Sequence, residues 1–302
     1  MRLCRFDDNR LGVVDGPIIR DVTVALDVLP RQSYPYPTHD VLVEHLDRVV
    51  ERVRTLAPNA RTLSADAVTL LSPVANPGKI VAAPVNYEKH RAEAITNPAL
   101  HGNNPGSAFN IHSAGLFLKS TSSLVGPGQG VAIRRPDRRT DHEVELVIVM
   151  GKRADRVSRH DAIAHVAGYA IGLDISIRGS EDRSFRKSPD TYSVLGPWLV
   201  TSDEIPNPGG LDLQISVNGE VRQQSNTRHM LLGVAELIEM ASSMYTLHPG
   251  DLIFTGTPEG VSQIYPGDSI VATIADIGTM AVAVRADHAA PTPAMSASSA
   301  GT

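Results

Sequence analysis

One run of twelve residues constrains everything around it: Thr140-Asp141-His142-Glu143-Val144-Glu145-Leu146-Val147-Ile148-Val149-Met150-Gly151. Its apolar, β-branched second half reads as a buried strand. Side chains alternate across a strand, so Glu143 and Glu145 share one face while Val144, Leu146, Ile148 and Met150 fill the other. Two like charges side by side in a half-buried place are unfavourable unless something neutralises them. A divalent cation does so directly, and hard cations take carboxylate oxygens. The same residues also fit a solvated polar face at a strand end, and both readings stand on this stretch alone.

The 302 residues give room for one large domain, or one domain and a smaller one. A formal net charge of -5 and the lack of a long basic run argue against nucleic-acid binding. Cys4 is the only cysteine, which excludes an intrachain disulfide and a thiolate metal cluster and suits a reducing cytoplasm. The first residues carry no apolar signal core, and no run of about 18 apolar residues predicts a membrane span.

Leu11 to Ile19 predicts short strands around the Asp15-Gly16 turn. From Val41 to Leu56 the spacing is helical, with Leu42, Leu46, Val49, Val50, Val53 and Leu56 on one stripe and Thr38 or Asp40 as cap. Pro73, Pro77 and Gly78 mark a boundary near residue 75. Lys79 to Ala83 is a strand, and the polar segment after it places His90 and Glu93 three apart, on one face if helical. A carboxylate beside an imidazole orients it and raises its basicity; a surface His-Glu pair on a short helix has the same spacing. Residues 95–115 have the composition of a loop or lid. Arg134 to Arg139 reads as a solvated basic loop, and Ser158 to Asp161 as the capped start of a short helix.

The strand Val166 to Ser176 carries Asp174, about thirty residues after Glu145. An excursion of that length can return Asp174 beside the two glutamates, a set that suits Mg²⁺ or Mn²⁺. The polar segment 178–192, including Arg178, Lys187 and Tyr192, can bind an acidic substrate or be an ordinary charged loop. Asn218-Gly219 predicts a hairpin. A helix is expected from about Arg228 to Tyr245, with Leu231, Val234, Leu237, Ile238 and Ala241 inward. The turn Gly256-Thr257-Pro258-Glu259-Gly260 follows a strand; its glycines allow close approach of a ligand, and Thr257 can donate to a carboxylate. The tail from about Ala286 has a disordered composition.

Taken in order, several of these segments resemble the fumarylacetoacetate hydrolase family, from about Lys79 to Val284. They are Asn86-Tyr87-x-x-His90-x-x-Glu93, Glu143-x-Glu145, Asp174, Lys187-Ser188-Pro189-Asp190-Thr191, Leu195-Gly196-Pro197-Trp198, Val217-Asn218-Gly219-Glu220, Pro249-Gly250-Asp251 and Gly256-Thr257-Pro258-x-Gly260-Val261. The resemblance implies a β-rich mixed α+β fold, with a mixed β-roll catalytic domain over 76–285 and a small N-terminal α+β domain over 1–75, and a homodimer; composition adds a disordered 286–302 tail, and the lone cysteine a cytoplasmic location. It implies that Glu143, Glu145 and Asp174 hold Mg²⁺ or Mn²⁺, with Ca²⁺ also open to oxygen ligands. His90 and Glu93 match the catalytic dyad, on a lid that orders over substrate. Lys187 matches a lysine that contacts the substrate's oxo group. Arg178, Tyr192 and Thr257 are the expected substrate contacts. Many relatives read Arg-Asp-x-Gln where this chain has Arg178-Gly179-Ser180-Glu181, so the Gln's role is not carried over. Glu181 disfavours a second substrate carboxylate close by, unless Arg183 or Arg186 pairs with it.

The implied reaction is metal-dependent hydrolysis of a C–C bond in an acylpyruvate or β-diketo acid, with the dyad activating water. Decarboxylation of an oxaloacetate-like acid, or isomerisation or hydration of a 2-hydroxydienoate, is the alternative on the same site. A non-catalytic metal-binding β module would not need His90, Glu93 or Lys187. A serine hydrolase lacks its Gly-x-Ser-x-Gly elbow here.

Overall fold

The computed structural model of the chain describes residues 1–97, 100 and 110–287. Most of the lid expected over 95–115, and the tail from 288, lie outside the described residues. Within them, the Val144–Met150 strand is buried at every position. It pairs antiparallel with Val166–Asp174 on one side and Leu252–Phe254 on the other. A strand covered on both faces carries apolar residues continuously, as this run does. Leu146, Ile148 and Met150 enter one hydrophobic cluster, and Val147 and Val149 enter a second on the opposite face.

These strands belong to a mixed twelve-stranded sheet. Ile80–Ala82 lies parallel to Leu252–Phe254 and pairs antiparallel with Phe117–Lys119. On the far side Val166–Asp174 pairs with Ser193–Thr201, which pairs in turn with Arg2–Phe6. The first 75 residues therefore add strands to the sheet that carries the acidic run. Their helix Leu46–Leu56 buries Leu46, Val49 and Val53 in the same cluster as Val147, Val149 and Phe254. Asp40 begins this region: one carboxylate oxygen accepts from Val43 N, and the other from Ala75 N and Asn76 N. Such a cap contributes about 1 kcal/mol, and here it also fastens the chain turn near residue 75.

A five-stranded sheet containing Glu220–Asn226, Asp212–Val217, Ser269–Ile274, Gly278–Ala286 and Val131–Ile133 covers the other face. The Asn218-Gly219 hairpin forms as expected, with Val217 opposite Glu220. The helix expected from Arg228 starts later, at Val234, and ends at Met244. Thr227–His229 form a 3-10 helix before it, and Asn86 fixes the bend between the two: its carbonyl accepts from Leu231 N, its side chain accepts from Leu232 N, and its Nδ2 donates to the Leu232 carbonyl. Leu231 is consequently exposed, whereas Val234, Leu237, Ile238 and Ala241 are buried. After Ser158 the chain makes turns and a 3-10 helix, Ala162–His165; Ser158 Oγ bonds the Asp161 carboxylate, and Asp161 caps no backbone N–H with its side chain. Among the described residues no helix is long and apolar enough to cross a membrane.

Candidate active site

The pleat delivers what the alternation requires. Asp174 ends its strand beside Glu143, and its N–H donates to the Glu143 carbonyl at 2.9 Å. Glu143, Glu145 and Asp174 are all buried, and each offers an oxygen within 4.8 Å of the others. Three such charges must be compensated. Lys187 Nζ donates to Glu143 Oε2 and Asp174 Oδ2, both at 2.7 Å. Arg178 Nη2 donates to Glu143 Oε1 at 2.7 Å, and its Nε to Asp141 Oδ2 at 2.7 Å. Burial pushes Glu143 up, but Lys187, Arg178 and His90 outweigh it and hold the carboxyl well below its ordinary range.

Glu145 is treated differently. It accepts a hydrogen bond from Gly256 N at 2.7 Å, and no ion pair reaches it among the described residues. Burial and then Asp174 raise its carboxyl well above the ordinary range, against the pull of Lys187 and the Gly256 N–H. An all-oxygen donor set, buried and carrying one carboxylate without a cation, fits a hard divalent ion.

Above the triad, the helix Glu88–Thr96 bears His90 and Glu93. His90 is 5% exposed, and its Nδ1 lies 3.0 Å from Glu93 Oε2. A carboxylate can only accept, so Nδ1 carries the hydrogen and Nε2 is left to accept a proton. Glu93 is fixed in turn by Gly260 N, 3.2 Å from both its oxygens. Gly260 has φ +92°, and a Cβ there would sit 2.1 Å from the Arg222 carbonyl oxygen. Gly260→Ala must therefore move this N–H off Glu93. The expected result is a kcat lowered by about tenfold or more, a fraction of the roughly 10²- to 10⁴-fold that a positioned general base contributes; steady-state kinetics of the variant check it.

The structure thus brings together Glu143, Glu145, Asp174, Lys187 and Arg178, with the His90–Glu93 pair on an adjoining helix. Two expected substrate contacts sit otherwise. The Tyr192 hydroxyl accepts from Arg134 N at 3.2 Å within the core, and only its carbonyl serves the site, accepting from Lys119 Nζ at 2.8 Å. The Thr257 hydroxyl donates to the Val144 carbonyl at 2.9 Å, so it braces the strand between Glu143 and Glu145. Glu181 pairs with Arg138 through both oxygens, at 2.7 and 2.8 Å, and Arg186 Nε donates to its backbone carbonyl at 2.8 Å. Nor is the Arg134 to Arg139 run simply solvated: Arg138 and Arg139 are half-buried, and Arg139 bonds the fully buried Asp141.

Two site residues escaped the sequence reading. Lys119 is buried under the triad and ion-pairs with Asp174; the only signal was a lysine closing the apolar run Leu116-Phe117-Leu118. Asp141 lies two residues before Glu143, so the same alternation extends one step further back.

Comparison with known proteins agrees with this geometry. Residues 79–285 match the fumarylacetoacetate (FAA) hydrolase C-terminal domain. A maleylpyruvate hydrolase of Aquipseudomonas alcaligenes is 56% identical over 285 residues, covering 94% of this chain and 99% of its own. The crystal structure of maleylpyruvate hydrolase from Sphingobium sp. SYK-6 in complex with manganese(II) ion and pyruvate superposes with a TM-score of 0.80, at 38% identity over 95% of this chain and 99% of that one. A mitochondrial oxaloacetate tautomerase of Bos taurus is 36% identical over 240 residues, 75% of this chain and 73% of its own. A β-rich fold with a buried Glu-Glu-Asp triad, together with a family match over most of its length, places this chain in the fumarylacetoacetate hydrolase family.

Proposed function

We propose that this protein hydrolyses the C–C bond of an acylpyruvate, with maleylpyruvate the favoured substrate, using Mn²⁺ or Mg²⁺ held by Glu143, Glu145 and Asp174. The observation that carries this reading is the joint presence of the buried triad, Lys187 and a histidine whose Nε2 is directed to act as a base. Bound there, the cation supplies Lewis-acid stabilisation of negative charge on the dicarbonyl oxygens. Lys187 Nζ, anchored by two of the ligands, places a second positive group beside the 2-oxo oxygen. Arg178 spans Asp141 and Glu143 and holds both carboxylates in place at the site's edge.

His90 Nε2 takes a proton from water, and the water oxygen bonds to the carbonyl carbon of the acyl group. The bond from that carbon to C3 of the pyruvyl unit breaks, and its electron pair goes to the pyruvyl unit as an enolate. The protonated His90 returns its proton to C3. The sum is acylpyruvate plus water giving a carboxylic acid and pyruvate.

The same base also serves tautomerisation of an oxaloacetate-like acid, which needs proton transfer but no water attack. The bovine relative is the reason to test it. Metal-stripped protein is assayed on acetylpyruvate and oxaloacetate, with and without Mn²⁺ or Mg²⁺. Hydrolysis predicts metal-dependent acetate and pyruvate in equal amounts. Metal-dependent keto-enol exchange or CO₂ release from oxaloacetate, with acetylpyruvate untouched, moves the assignment to a tautomerase or decarboxylase.

A further inference from the structure

Gln223, on the Glu220–Asn226 strand, is 1% exposed and lies between the ligand strand and the Gly256–Gly260 turn. Its amide makes four hydrogen bonds. Oε1 accepts from Val144 N at 3.1 Å and faces His142 Nδ1 at 3.2 Å; Nε2 donates to Thr257 Oγ1 at 2.9 Å and to the Pro258 carbonyl at 2.7 Å. The orientation of a side-chain amide is often a choice between two near-equal fits. Here a backbone N–H, which can only donate, sits at one end, and a proline carbonyl, which can only accept, sits at the other. One orientation satisfies both, and it makes His142 Nδ1 a donor.

The groups that Gln223 joins define its role. Val144 is the residue between Glu143 and Glu145. Its N–H is held by Gln223 and its carbonyl by Thr257, the same threonine that Gln223 grips. The turn held by Nε2 supplies the Gly256 N–H to Glu145 and the Gly260 N–H to Glu93. One buried side chain therefore ties the backbone between two metal ligands to the turn that steadies both a ligand and the dyad's carboxylate. We propose that Gln223 is a positioning residue that couples cation affinity to the orientation of the His90–Glu93 dyad. The proposal rests on the metal-dependent reading above.

Gln223→Glu keeps the shape and the acceptor oxygen but loses both donors, and sets a charge against the Pro258 carbonyl. Mn²⁺ alone is titrated into metal-stripped wild type and variant well below both melting temperatures, and kcat and KM for acetylpyruvate are measured at saturating Mn²⁺. The expected Mn²⁺ affinity falls by about 10- to 100-fold, the usual consequence of losing a residue that orients a ligand. At saturation kcat stays about tenfold or more below wild type with KM nearly unchanged, because the dyad acts in the transition state. Thr257→Val breaks the same link from the other end and shifts both quantities in the same direction, which covers a failure of Gln223→Glu to fold. A purely structural Gln223 lowers the melting temperature and leaves Mn²⁺ affinity and kcat at wild-type values; that result overturns the proposal. Failure of the wild type itself to bind Mn²⁺ overturns the metal-dependent reading instead.

Discussion

Replacing His90 with alanine lowers kcat for acylpyruvate hydrolysis by about 10²- to 10⁴-fold, the contribution of a positioned general base, and leaves Mn²⁺ bound. The two halves of this expectation come from different contacts. His90 Nδ1 bonds Glu93, so the ring's other nitrogen is the one available to the attacking water. None of the three triad carboxylates takes a hydrogen bond from His90; they are held by Lys187, Arg178, Lys119 and Gly256. Removing the imidazole empties the base position and leaves the triad standing. Because the lost interaction operates in the transition state, KM changes little. A wild-type rate in the alanine variant, measured as pyruvate formed per enzyme, removes His90 from the mechanism.

Glu145→Gln is expected to act more severely on the metal and in the opposite sense on the metal-free protein. Among the described residues Glu145 is the triad member with no ion pair, so in the absence of metal its ionised form is the least compensated of the three. A neutral glutamine keeps the acceptor for Gly256 N and removes repulsion from Asp174 and Glu143. The chelated variant should therefore melt at or above chelated wild type. With Mn²⁺ present the order reverses. One charged ligand of three is gone, the affinity loss exceeds the about 10- to 100-fold typical of residues that merely orient ligands, and metal-dependent turnover disappears. Thermal melts with and without Mn²⁺ show the crossing of the two curves. A variant less stable than wild type when both are metal-free means that Glu145 is compensated in some way other than by a cation.

Alternation along one strand made Glu143 and Glu145 legible, because period-two geometry is local and needs no partner. Asp174 was placed beside them through the length of the excursion, and the antiparallel pairing of Val144 with Leu173 realises that return. Residues whose roles depend on distant partners were harder to read. Lys119 looks like a surface lysine until the Phe117–Lys119 strand brings it 55 residues away to Asp174. Gln223 lies in the second strand of the hairpin that Asn218-Gly219 predicts, and nothing local says that its amide meets Val144 and Pro258. Tyr192 and Thr257 lie beside the site in the chain as the motifs imply, yet their hydroxyls turn toward Arg134 N and the Val144 carbonyl. Motif order fixes which backbone approaches the site; which way a hydroxyl points is decided by buried donors and acceptors that must be satisfied.

Hydrolysis of maleylpyruvate in ¹⁸O-labelled water, by Mn²⁺-loaded and metal-stripped protein, tests the central claim most directly. The account predicts that only the loaded protein turns over, giving maleate and pyruvate in equal amounts, with one label entering the maleate carboxylate formed at the broken bond. Unlabelled maleate, cleavage that survives stripping, or solvent exchange at C3 with no cleavage would contradict it.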